Sequence, residues 1–392
     1  MKIPGNLVNV LTARAFLSFS YGFLNIILSI YLHSLGYPLL EIGLILGSAI
    51  LISAILTFLL SLLADHYGRK FLLVILFILF AASSALFLYT RNVVVLAILS
   101  GLGGFTGSGG GPIGSGGPFG SVQTALITEV SERKNFSRIL SYASIIGMLA
   151  ASAGSFTLEG LEIWRVGVYQ LFYLAALLGL VGAIISMFLK DNGIRSKHLL
   201  PRISWKNIIK LSIPTIPNGV GIGFVAPIFS LWFKLKFGIS TGEIGVIYGI
   251  SNLFVILTMF ILPRLVKPQS ELTAIISTRI VSAFALLAMA ISPFLWSTAL
   301  LYVLRSGMQM GAVPLRQSFS MGIVHESERA TTSGTSSMVR TGVSSVSPPI
   351  STPLLSMNID YPPLIGGLLT FLDPLLYYVL FRKNFEGARK NA

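Results

Sequence analysis

From Ile42 to Ala64 the chain carries no charged residue and is apolar almost throughout. Such a run is long enough to cross the hydrocarbon core of a bilayer, for which ~20 residues suffice. It opens on Gly36-x4-Glu41-Ile42-Gly43-x-Ile45-x-Gly47, and the pattern returns 202 positions later as Gly238-x4-Glu243-Ile244-Gly245-x-Ile247-x-Gly249. Six identities at one spacing, each time at the head of a long apolar run, imply a chain built by duplication. A second match agrees: Gln123 and Val130 align with Gln317 and Val324, and Glu132-Arg133 with Glu328-Arg329, at nearly the same shift.

Composition sets the same frame. Of 392 residues 54% are hydrophobic and 11% charged, and the mean hydropathy of +0.81 lies outside the range of soluble domains. There is no Cys, which excludes disulfides, thiol nucleophiles and cysteine-held metals. The first apolar stretch is too long for a cleaved signal and lacks a small-residue cleavage site after it. The net charge of +14 does not point to nucleic acid, because the charges sort by loop. With a cytoplasmic N-terminus, Lys and Arg crowd the cytoplasmic segments at Arg69-Lys70, Arg133-Lys134, Lys190 to Lys210, Arg264 to Lys267 and Arg382 to Lys390. Only Arg91, Arg165, Lys234 and Lys236 fall outside. That bias places both termini in the cytoplasm of a multi-pass cell-membrane protein.

About twelve spans can be placed, giving an all-α integral membrane fold of two six-helix bundles. The spans cover 9–34, 39–64, 71–89, 93–128, 137–157 and 166–189 in the first half. In the second they cover 208–233, 241–262, 271–292, 295–322, 331–355 and 362–381. The basic stretch 190–206 reads as a cytoplasmic linker between a bundle of residues 1–189 and a bundle of residues 207–392.

The segment Ala64-Asp65-His66-Tyr67-Gly68-Arg69-Lys70 resembles the signature between the second and third helices of the major facilitator superfamily. Together with the two six-span repeats, the resemblance covers the whole chain. It implies a secondary transporter working by alternating access, with a small-molecule substrate, possible proton coupling, a monomeric state and no cofactor or metal. It also implies a conformational latch in which Asp65, Arg69 and Glu129 form a charge cluster while Gly68 supplies the turn; the plain alternative is ordinary loop charges. The second half departs from the pattern, since Leu262-Pro263-Arg264-Leu265-Val266-Lys267 has no acid and no Gly-Arg.

Glu41 and Glu243 recur in both repeats and invite a proton-site reading. Helix capping fits better: Ser240-Thr241-Gly242-Glu243 is a capping box and Pro38 opens the equivalent helix. The Gly43-x3-Gly47 and Gly245-x3-Gly249 pairs read as close-packing devices. Gly101 to Gly120 holds eleven glycines and two prolines. Its Gly109-x-Gly111-x2-Gly114 matches a dinucleotide fingerprint only formally, because no strand precedes it. Two readings remain, an outer loop ahead of a short span 4, which is preferred, or a broken helix.

Ionisable residues inside spans are few, and each is costly there. They are Arg14, Arg279, Arg305, Arg316, Arg340 and Asp373. In the architecture that the resemblance implies, spans 1, 4, 7 and 10 line the cavity and 2, 5, 8 and 11 flank it. This selects Arg14, Arg305 and Arg340, with Asn25, Gln123, Asn218 and Gln317 as polar companions and Asp373 as the deep acid. The excess of Arg leans toward an anionic substrate; a broad-range drug exporter is the alternative. The four histidines are scattered near span ends, no metal spacing or nucleophile elbow occurs, and a catalytic role is not expected.

Overall fold

The computed structural model describes residues 5–106, 117–130, 136–163, 167–189, 205–266, 270–322 and 329–390. No strand occurs among them. In chain order the helices of the first half are α1 (Gly5–Ser34), α2 (Leu39–Tyr67), α3 (Arg69–Leu86), α4 (Val93–Gly103), α5 (Gly117–Val130), α6 (Phe136–Ile163) and α7 (Tyr169–Met187). Then come α8 (Trp205–Val225), α9 (Phe229–Phe237), α10 (Thr241–Leu265), α11 (Glu271–Ile291), α12 (Leu295–Gly311), α13 (Val313–Gly322), α14 (Arg329–Ser344), α15 (Ser347–Met357) and α16 (Tyr361–Lys390).

Nine helices among the described residues are long and apolar enough to cross a membrane. The three remaining expected spans are interrupted ones. Span 4 is split into α4 and α5, span 10 into α12 and α13 at Ala312, and span 11 into α14 and α15. Span 7 also breaks, at a 3-10 turn over Ala226–Ile228. Proline sits at each restart or turn, as Pro118, Pro227, Pro314 and Pro348, where a missing N–H costs least.

The preferred reading of the Gly-rich segment does not hold. Asn92 caps α4, its Oδ1 accepting from the N–H groups of Val94 at 2.9 Å and Val95 at 3.3 Å. Helix therefore precedes the glycines. It stops at Gly104, which turns into the left-handed region at φ 65°, and the Gly104 and Phe105 N–H groups close back on Gly101 and Ser100. A Cβ on Gly104 would lie 2.7 Å from the Tyr21 hydroxyl of α1 and 3.5 Å from Pro118 at the start of α5. The end of α4 at Gly103 and Gly104 thus lies against the middle of α1. Residues 107–116 lie outside the described residues.

By contacts the chain divides into two compact units. The first comprises Met1–His198 with Phe229–Gly249, the second Leu199–Ile228 with Ile250–Ala392. Inside the first, α1 packs on α6 and α7, and α3 on α7 and α4. Inside the second, α8 packs on α14 and α16, and α11 on α16 and α12. These are the same pairings one repeat later. Gly36 and Gly238, the heads of the repeated pattern, share a positive φ of 84° and 65°.

Small residues let the crossings close. A Cβ on Gly22 would stand 2.1 Å from the Ala151 carbonyl oxygen, and one on Gly154 2.0 Å from that of Phe19. Gly22→Ala or Gly154→Ala should therefore cost about 1–3 kcal/mol through overpacking. Gly160→Ala, which meets nothing within 4 Å, should leave melting in detergent unchanged or slightly raised. Equal melting of all three variants would refute the tight crossing.

Candidate functional site

The deepest charges of the second unit converge on α16. Gly221 of α8 and Gly366 of α16 oppose each other so closely that a Cβ on either would come within 3 Å of the other's carbonyl. That approach brings Asn218, three residues earlier on α8, to Asp373 on α16. The Asn218 Nδ2 donates to Asp373 Oδ2 at 2.9 Å. From α11, Arg279 forms an ion pair with the same oxygen. Asp373 is wholly buried and Arg279 is 5% exposed. The guanidinium carbon also sits 4.7 Å from the ring centre of Tyr377, one turn beyond Asp373 on α16, a cation–π contact. Arg316 on α13 and Arg340 on α14 lie within electrostatic reach of Arg279 and of each other. Asp373 Oδ1 and Arg316 Nε are buried with no hydrogen-bond partner among the described residues.

Among the described residues the cluster is thus one carboxylate among three guanidiniums, in a setting where a buried charge is tolerated only if paired or used. Arg binds planar oxyanions bidentately, and its fork is more easily desolvated than an ammonium. The arrangement can therefore hold an anionic group, or exchange Asp373 for one.

The other predicted residues fall out as follows. Arg305 is buried on α12, and its carbonyl accepts from Ser282 of α11 at 3.4 Å; the ion pair that the structure gives Asp373 is with Arg279. Gln317 is exposed on α13. In the first unit Arg14 is 2% and Gln123 0% exposed; Arg14 Nε, Asn25 Oδ1 and both Gln123 amide atoms are buried with no hydrogen-bond partner among the described residues. Of the latch set, Gly68 has φ 88° and joins α2 directly to α3, as the turn reading requires. Arg69 is half-buried at the start of α3, while the side chains of Asp65 and Glu129 lie outside the described residues.

The capping reading of Glu243 holds. Its Oε2 accepts from the Ser240 N–H at 2.8 Å, while Ser240 Oγ accepts from the Glu243 N–H at 3.1 Å. A Cβ on Gly245 would be 2.4 Å from the Ser155 carbonyl of α6, and one on Gly249 2.6 Å from the Phe156 ring, so this pair is a packing device.

Arg279 was absent from the predicted site, and Tyr377 with it. One signal was available: Arg279 and Asp373 are charges of opposite sign in spans 9 and 12, and opposite charges buried in a bilayer are expected to pair.

The description of the Major Facilitator Superfamily matches residues 10–348. The chain belongs to that family. It is 26% identical over 285 residues to the quinolone resistance protein NorA of Staphylococcus aureus (strain MRSA252), covering 69% of this chain and 70% of that protein. Among solved structures it resembles the nucleoside transporter NupG, with a TM-score of 0.72 at 14% identity, covering 96% of this chain and 99% of that one. It also resembles the human organic anion transporter MFSD10, with a TM-score of 0.68 at 14% identity, covering 96% and 100%. The fold and family define a secondary transporter of the membrane.

Proposed function

We propose that this transporter carries a small anion and couples its movement to protons through Asp373. The observation behind the reading is the buried Arg279 with the half-buried Arg316 and Arg340 around what is, among the described residues, a single carboxylate. An anion bearing a carboxylate or phosphate complements that charge, and Asp373, wholly buried, is a deep acid available to take a proton. The distribution of Lys and Arg supports cytoplasmic termini. On that topology Asp65, Arg69 and Glu129 act as the cytoplasmic latch, and the protein works as a monomer. Arg305, Asn218 and Gln317 belong to the same reading as companions of the cluster.

The second reading is a broad-range exporter, favoured by the similarity to a protein named for quinolone resistance. Flux into vesicles of purified protein separates the two, using a panel of anions and lipophilic cations with and without a pH gradient. Arg340→Gln should abolish anion flux, and Asp373→Asn should leave flux that no longer responds to the gradient. Wild-type transport of a lipophilic cation in both variants would reject the anion reading and favour the exporter.

A further inference from the structure

We infer that the first unit carries a second ligand site, a small cavity where α6, α7, α9 and the start of α10 meet, which takes an aliphatic amino acid as its zwitterion. The inference is independent of the cluster around Asp373 and uses none of its residues.

The cavity encloses about 230 Å³, and every residue that lines it belongs to the first unit. Glycine brings its walls together. A Cβ on Gly242, in the first turn of α10, would stand 2.3 Å from Glu159 Oε2 near the end of α6. The Gly242 N–H donates to Glu162 Oε2 at 2.8 Å, which holds the Glu162 side chain at the cavity. Leu158 and Leu161 of α6, with Val168 and Leu171 at the start of α7, give it an aliphatic wall.

Three polar residues of different character line the same space. Glu162 brings a carboxylate from α6, with Oε2 engaged by Gly242 and Oε1 left for a ligand. Lys234 brings an ammonium from α9. Ser240, just before α10, accepts from the Glu243 N–H through Oγ at 3.1 Å, so its hydroxyl proton is left to donate. Among the described residues Glu162 and Lys234 form no ion pair with each other. Opposite charges that share a cavity without pairing complement a solute that carries both.

The chemistry selects the occupant. A ligand ammonium meets Glu162, with Glu159 adding negative charge on the same helix. A ligand carboxylate meets Lys234 and the Ser240 hydroxyl, so both ends make charge-assisted hydrogen bonds. A branched aliphatic side chain covers the two leucines of α6 and the wall from α7. The volume is below the ~300–1,000 Å³ of pockets that hold drug-sized ligands, which disfavours a large lipophilic drug. A simple anion would leave Glu162 unmatched, and a simple cation would leave Lys234 so.

The test follows binding and melting of the full chain in detergent with leucine, isoamylamine, isocaproate and isoamyl alcohol. Each variant is made in wild type and in Arg340→Gln, where the anion response of the cluster around Asp373 is removed. Leucine should raise the melting temperature in both backgrounds and, in Arg340→Gln, bind more tightly than the three analogues. Glu162→Gln, whose amide oxygen can still accept from Gly242, should weaken leucine binding about 10- to 100-fold, and Lys234→Gln should do the same. In the Arg340→Gln background, leucine should then bind Lys234→Gln no better than isoamylamine does, and Glu162→Gln no better than isocaproate does. Absence of leucine binding in the wild type overturns the inference. So does equally tight binding of isoamyl alcohol, which would make the cavity merely apolar. Leucine binding that survives Glu162→Gln and Lys234→Gln unchanged, or that disappears in Arg340→Gln alone, places the amino acid elsewhere and overturns it too.

Discussion

Asp373→Asn should destabilise the protein by about 3–5 kcal/mol, the cost of breaking a buried ion pair from one side. The Arg279 guanidinium would remain within electrostatic reach of Arg316 and Arg340 with its carboxylate gone and the Tyr377 ring in support. Arg279→Leu should cost a similar amount for the opposite reason, leaving an orphaned carboxylate held by Asn218 alone among its present partners. The double variant Arg279→Leu, Asp373→Leu removes both charges and leaves the net charge of the cluster unchanged. It should recover most of the lost stability, because apolar replacement of a buried pair is commonly neutral or better. Melting of the three variants in detergent gives the coupling energy directly. The double variant should also fold yet show no pH-gradient-dependent flux, which separates a coupling role from a structural one. Single variants melting within about 2 °C of wild type, equivalent to less than ~1 kcal/mol for a domain of this size, would mean that the pair contributes nothing.

That pair shows where the sequence stops being informative. Helix starts are local events and read well: α2 at Leu39, α10 at Thr241 and α11 at Glu271 begin where Pro, a capping box and a first-turn acid announce them. The duplication is also legible, since it needs only identity and spacing, and it reappears as shared helix pairings and as positive φ at Gly36 and Gly238. Partner choice among buried charges is tertiary. Asp373 is 155 residues from Asn218, and Arg340 is nearer to it in sequence than Arg279 is, yet Arg279 takes the carboxylate, because α11 packs on α16. The resemblance directed attention to cavity-lining spans, and so passed over an Arg in span 9. The Gly-rich segment failed for another reason: glycine permits a loop and a helix break equally. Only the burial of Gly104 against Tyr21 and Pro118 decides between them.

Cross-linking Ser29→Cys to Ser230→Cys should stop transport almost completely. In the first unit the two buried hydroxyls are hydrogen-bonded at 3.1 Å, joining the end of α1 to α9. Further contacts fasten the adjoining start of α10 to α6. Ser152 Oγ donates to the Gly249 carbonyl at 2.8 Å, and the Gly242 N–H donates to Glu162 Oε2 at 2.8 Å. At this end of the unit the helices are therefore joined, among the described residues, by a few polar bonds over glycine-rich contacts. A transporter that alternates access must part each end in turn, and bonds of about 0.5–1.5 kcal/mol apiece are weak enough to break in every cycle. A disulfide is not. Side chains in hydroxyl contact place their Cβ atoms within the few ångströms that a disulfide spans, and the chain has no native Cys to confuse the reaction. Oxidant should therefore reduce vesicle flux of the double-Cys variant to background, reductant should restore it, and either single-Cys variant should ignore both. Undiminished flux in a fully cross-linked sample would mean that α9 stays with α1 throughout the cycle, and that this end opens between other helices.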